Sequence, residues 1–233
     1  MRARRDPEQG GSRRLYWAVE SPSRVADVAP LSARSLLRGV SDLAARDPDL
    51  ASVVDRHGPP PLWGRRPGFA TLVRIILEQQ VSLASARAVY GRLCVATGRV
   101  TPHAIASASA ERLRRSGLTR QKAAYCRALA GAVVEGRLDL AALARQDDHS
   151  VGAALQAYPG IGPWTTDIYL LMALRRPDVW PRGDLALAKA AQRVKRLRRL
   201  PDARQLAAMA EAWAPWRAVA ARILWHAYLS SRP

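Results

Sequence analysis

The segment YPGIGPWTTDIYLLMAL, Tyr158 to Leu174, decides the fold. Two glycines flank Ile161 between Pro159 and Pro163, and the chain then runs straight into an apolar helix. The preceding VGAALQA (Val151–Ala157) is also apolar with helical spacing, so the segment reads as helix, tight turn, helix. Glycine permits positive φ and keeps side chains away from whatever approaches the turn. Pro163 suits a first helical turn, where unpaired N–H groups and the positive end of the dipole lie. Thr165 and Thr166 can add hydroxyls. Such a turn can hold a phosphate on backbone N–H groups. Ile161 would point back into the core and pin the hairpin. The alternative is a plain helix–loop–helix corner, against which two glycines bracketing one aliphatic, preceded by Pro159 and an apolar helix, argue.

Outward from this segment the 3.6-residue period continues almost everywhere. Phe69, Leu72, Val73, Ile76 and Leu77 form one stripe ending near Gln79–Gln80, and a helix over Ser82–Thr97 closes at Gly98. Thr101 with Pro102, and Ser109, are N-cap signals. Thr119 caps a long helix through Val134, stopped by Gly136. Further helices are predicted over Leu140–Ala144, Val151–Ala157, Trp164–Leu174, Leu185–Leu197, Asp202–Trp213 and Trp216–Leu229. HGPPPLWGRRPG (His57–Gly68) is a proline-stiffened loop. No hairpin strands are visible, so the fold is all-α. Residues 1–30 read as a basic, partly disordered segment with a short docked piece near Leu15–Val19, and residues 31–233 as one unit of two helical lobes.

Of 233 residues, 48% are apolar, enough to bury a core. The formal charge is +18, from 37 Lys and Arg against 19 acids, and 34 of those cations are Arg. The first 14 residues hold five Arg and two acids, a net of +3, which leaves +15 on the remainder. A basic folded body points to a polyanion, above all nucleic acid. No run of about 18 apolar residues exists to cross a membrane, and no apolar stretch follows the charged N-terminus as in a signal peptide. A cytoplasmic protein is expected. Cys94 and Cys126 lie in apolar helical patterns and read as buried thiols. His57, His103, His149 and His226 lack metal-ligand spacing, so no metal is expected.

Four motifs in order carry a resemblance. PGIGPWT (Pro159–Thr165) resembles the hairpin of the helix-hairpin-helix DNA glycosylase superfamily, and DVWPRGDLALAKA (Asp178–Ala190) resembles its catalytic-aspartate loop. ILEQQVSLASA (Ile76–Ala86) resembles the helix junction that faces the lesion. WAPWRAVAARILW (Trp213–Trp225) resembles the closing helices of the 3-methyladenine DNA glycosylase II group. Together they span roughly residues 66–229. The resemblance implies two helical lobes with a cleft between them, and a monomer acting on damaged double-stranded DNA without metal or organic cofactor. It makes Asp184 catalytic, assigns Gly160, Ile161, Gly162, Trp164, Thr165 and Gln80 to DNA binding, and puts Trp164 and Trp225 in the base pocket. Gln80 falls where the duplex is entered. Trp164 stands where strand-cleaving members carry a nucleophilic lysine, which implies a monofunctional enzyme. The cysteine quartet of iron–sulfur branches is absent, and Ile168 replaces a pocket aromatic of some members.

The residues themselves fit that chemistry. Asp184, just before LALAKAAQRV, is also what a helix N-cap looks like, and N-terminal N–H groups favour negative charge there. Breaking an N-glycosidic bond builds positive charge on the sugar, which a fixed anion stabilises. An N-alkylated purine is already cationic and leaves without an acid, so Glu78 and Asp167 are expected to be structural or solvated. Seven Trp against one Phe suit stacking on a flipped cationic base, whereas Trp213 and Trp216 beside Pro215 read as packing. The expected activity is excision of 3-methyladenine and 7-methylguanine types in base excision repair. The alternatives are a glycosylase for uracil, a mismatch or an oxidised base, and a non-catalytic binder of distorted DNA.

Overall fold

The computed structural model describes residues 29–231. Among them lie 13 helices and no strand. The expected tail, with its docked piece near Leu15–Val19, lies outside the described residues.

The helices form two groups. One lobe holds α3 (Phe69–Glu78), α4 (Leu83–Thr97), α5 (Pro102–Ser107), α6 (Ala110–Arg115), α7 (Arg120–Val134), α8 (Leu140–Leu143), α9 (Asp148–Gln156) and α10 (Pro163–Met172). Here α7 packs against α3, α5 and α6, and α10 packs against α3 and α9. The other lobe joins the two ends of the chain: α1 (Ala33–Arg46) and α2 (Pro48–His57) pack on α13 (Arg217–Ser230), with α11 (Leu185–Val194) and α12 (Ala203–Glu211) alongside. No described helix is long and apolar enough to cross a membrane.

The caps signalled in the sequence, Thr101, Ser109, Thr119 and Asp184, each accept from an N-terminal N–H, and Ser82 and Asp202, the first residues of predicted helices, prove to be caps as well. The stripe of α1 (Leu36, Gly39, Val40, Leu43) was not singled out by the sequence reading. Its capping box uses Ser35 against Ser32, in place of the usual Glu or Gln. α10 and α11 each end earlier than the apolar pattern suggests. Arg175 (φ 55°) and Arg196 (φ 53°) adopt the left-handed conformation that glycine usually supplies. Cys126 is buried, which pushes its thiol up to about 12, whereas Cys94 is only half-buried, contrary to expectation.

One fully buried cation ties the lobes. Arg222 of α13, 0% exposed, donates from Nε to Leu62 O (2.8 Å), from Nη1 to Ala218 O (2.9 Å) and from Nη2 to Leu171 O (2.9 Å). Burial lowers its guanidinium to about 10, so it remains cationic at neutral pH. Its charge faces the last turn of α10, the negative end of that helix. Around it, Leu31 N donates to Arg175 O, Ala218 N to Pro177 O, and Arg217 forms a bidentate pair with Asp178. Arg222→Met deprives the buried Leu171 carbonyl and the part-buried Leu62 carbonyl of their donor. At about 1–3 kcal/mol each, thermal denaturation should show a midpoint lowered by several degrees.

Candidate functional site

The site begins at the turn between α9 and α10. Gly160 has φ 84°, and a Cβ there would lie 2.1 Å from the Tyr125 ring. Glycine is therefore dictated twice, by conformation and by space. Gly162 differs. Its backbone is extended (φ −98°, ψ −176°) and an added Cβ would meet nothing within 4 Å. Only one of the two glycines needs positive φ, and nothing among the described residues explains the second. Ile161 is buried and its N–H donates to Tyr158 O (3.2 Å), so it pins the corner and its amide is taken. Gly162 caps α10 without a side-chain bond. The open donors are thus the N–H groups of Gly162, Trp164 and Thr165, Pro163 having none.

The expected hydroxyl of Thr165 is not offered to a ligand. Its side chain is buried, and Oγ1 accepts from Gln79 Nε2 (2.8 Å), which also donates to Gly160 O (2.7 Å). Only its backbone N–H can serve. Gln80 is exposed at the α3–α4 corner with φ 56°, a left-handed geometry that costs a non-glycine residue about 1–2 kcal/mol. It and the hairpin line one groove of about 580 Å³, with Gln79, Gln121, Lys122 and Tyr125.

Asp184 is the N-cap of α11, its Oδ1 accepting from Leu187 N (2.9 Å). Two indoles complete its surroundings. Trp164 Nε1 donates to Oδ2 (2.9 Å) and Trp225 Nε1 to Oδ1 (3.2 Å). The carboxylate is 9% exposed and has a donor from each of three helices. A buried carboxylate requires such partners, and three donors fix both its oxygens in direction. The structure thus brings Asp184 to the hairpin through Trp164, two residues beyond Gly162. It alters the expected part of Trp225: at 8% exposure, with its N–H on Asp184, the ring has little face left for stacking and instead orients the carboxylate. Trp164 is half-buried and keeps part of its ring accessible.

The loop bearing Asp184 is clamped to α10. Arg182 grips Asp167 through Nε (2.8 Å), Nη2 (2.9 Å) and its own N–H (3.1 Å), and the bond to Asp167 raises the Arg182 guanidinium. Glu78 forms a bidentate pair with Arg65, both bonds 2.9 Å. Both acids are thus structural. Trp213 and Trp216 serve packing, donating to Asp47 (2.8 Å) and Asp42 (2.9 Å). No cluster of three or more His, Cys, Asp or Glu suited to a metal exists among the described residues. The glycine contrast predicts that Gly160→Ala lowers the thermal midpoint by several degrees, through about 1–2 kcal/mol of backbone strain plus the ring clash, whereas Gly162→Ala leaves it unchanged.

Comparison with known proteins places this geometry. Residues 73–216 match the family described as HhH-GPD superfamily base excision DNA repair protein. YfjP of Bacillus subtilis is 28% identical over 76% of this chain, which spans 64% of that protein's length. The solved structure of Schizosaccharomyces pombe 3-methyladenine DNA glycosylase Mag1 in complex with abasic DNA superposes with a TM-score of 0.74. It is 25% identical, over 81% of this chain and 95% of that one. A Bacillus halodurans DNA-3-methyladenine glycosidase gives 0.68 at 32% identity, over 82% and 88%. With the family model matching more than half of its length, this chain belongs to the HhH-GPD superfamily of base excision DNA repair proteins.

Proposed function

We propose that this protein is a monofunctional DNA glycosylase that flips an alkylated purine from duplex DNA and hydrolyses its N-glycosidic bond, acting as a monomer. The observation that carries the reading is the Asp184 carboxylate, held by three N–H donors and joined to the hairpin by Trp164. A protein that only bound DNA would gain nothing from a buried carboxylate beside its phosphate grip, since a negative charge there repels the ligand. The relatives' names supply the lesion class.

In this reading the N–H groups of Gly162, Trp164 and Thr165 hold a backbone phosphate, and the body's excess positive charge draws in the duplex. The exposed Gln80 fills the space the base has left. The accessible face of Trp164 stacks on the cationic base. As the C1′–N bond breaks, its electron pair neutralises the departing alkylated purine, so no general acid is required. Asp184 stabilises the cationic sugar from a fixed position, and water adds at C1′ with its proton passing to Asp184 or solvent. The products are a free base and an uncut abasic site.

Strand cleavage through a Schiff base needs a free amine at the sugar. The chain has three lysines, Lys122, Lys189 and Lys195. Lys195 is tied to Asp47 and Asp49, Lys122 donates to two backbone carbonyls, Lys189 is exposed more than a helical turn beyond the Asp184 cap of α11, and an indole occupies position 164. Borohydride should therefore trap no covalent complex with abasic DNA.

The activity is tested by base release from methylated duplex under single-turnover conditions, across a panel that includes uracil, mismatched and oxidised bases. Asp184→Asn should slow release of methylated purine about 10²- to 10³-fold or more while DNA affinity persists. Release of uracil or an oxidised base in preference to methylated purines would overturn the lesion assignment. Gly162→Ala, which leaves stability untouched, should weaken binding to abasic duplex, because its methyl occupies the path of the phosphate.

A further inference from the structure

The proposed function needs two DNA-facing corners, the phosphate-holding hairpin and the Gln80 corner, to act at a set separation. They lie about eighty residues apart in sequence, yet one side chain spans them. Gln79 directs Nε2 to Gly160 O (2.7 Å) and Thr165 Oγ1 (2.8 Å). Gly160 O can only accept, so the amide nitrogen must face the hairpin, and its two hydrogens serve two acceptors. The carbonyl of the same residue is held from the other side. Lys122 Nζ donates to Gln79 O (2.8 Å) and Leu77 O (2.9 Å), closing the C-terminal end of α3. Burial lowers the Lys122 ammonium, and donation to the two carbonyls opposes this by favouring its charged form. One turn along α7, the Tyr125 ring supports Gly160, and its hydroxyl accepts from Gln121 Nε2 (2.6 Å).

These ties surround the strained residue. Gln80, at φ 56°, directly follows Gln79, whose side chain and carbonyl are both anchored. Such a backbone conformation persists only where neighbours over-determine it.

We propose that Gln79 and Lys122 are positioning residues that bolt the Gln80 corner to the hairpin, so that seating the hairpin on a phosphate drives Gln80 into the base stack. The inference rests on the reading of Gln80 and the hairpin given above. It adds that backbone grip and base displacement are one rigid event. Gln79 and Lys122 need not touch the reacting atoms; they act through Gln80.

The test uses the full chain and a duplex bearing a tetrahydrofuran abasic analogue with 2-aminopurine as its neighbour. Fluorescence at saturating protein reads disturbance of the stack without any chemistry. Base release from methylated DNA and affinity for undamaged duplex are measured in parallel, with thermal midpoints to confirm folding. Gln79→Met keeps the side-chain length and deletes both donors. It should lose the fluorescence change and slow excision roughly tenfold or more, with affinity held within about threefold. Lys122→Met, which removes the other tie, should lose the same signal. The double variant Gln79→Met/Gln80→Ala should be no slower than the worse single, because both act in one step. Wild-type excision and fluorescence in Gln79→Met would overturn the coupling. So would effects that multiply in the double variant, or an affinity loss as large as the loss of rate. A wild-type protein that releases no base would overturn the activity instead, since the fluorescence on abasic duplex is read independently of it.

Discussion

The rest of the structure is arranged around one buried negative charge. Asp184 sits in a chain of formal charge +18, yet its carboxylate meets no cationic side chain in its hydrogen bonds. It is held by the first turn of α11 and by two indole N–H groups, one from α10 and one from α13. Neutral donors satisfy the oxygens without cancelling the charge. An arginine in the same place would supply the bonds but remove the field that a cationic sugar would feel. Because α10 belongs to one lobe and α11 and α13 to the other, the bonds that fix the carboxylate also register the lobes. Arg222 and the Arg182–Asp167 clamp reinforce that registration on either side.

The parts legible in the sequence are local in origin. A cap residue, a glycine turn and an apolar period each involve residues within a few positions of one another, so the helices, the hairpin and the placement of Asp184 at a helix start could be read directly. Trp164 and Trp225 could be singled out, and both lie against Asp184. The direction of an indole N–H depends on packing from distant elements, and the structure turns both toward the carboxylate. Thr165 shows the same limit: a hydroxyl in a first helical turn is free or occupied according to what lies 86 residues earlier, here Gln79.

What could not be read is long-range polar structure. In an arginine-rich chain, Arg222 looks like one more solvated cation, and only the packed fold shows it buried against three carbonyls. Gln79 and Lys122 were invisible for the same reason, since their partners lie more than forty residues away. The pairing of α1 and α2 with α13 joins the two ends of the chain, and no local pattern announces it.

The central claim is that the fixed charge of Asp184 serves the cationic stage of the reaction. Comparing affinity for duplexes that carry a cationic pyrrolidine or a neutral tetrahydrofuran at the abasic position probes that charge, because the two five-membered rings are close in size and only the pyrrolidine is charged. The account predicts that the wild-type protein prefers the cationic analogue by about tenfold or more, as a transition-state mimic should, and that Asp184→Asn loses the preference. Equal affinity in the wild type, or a preference that survives in Asp184→Asn, would contradict it.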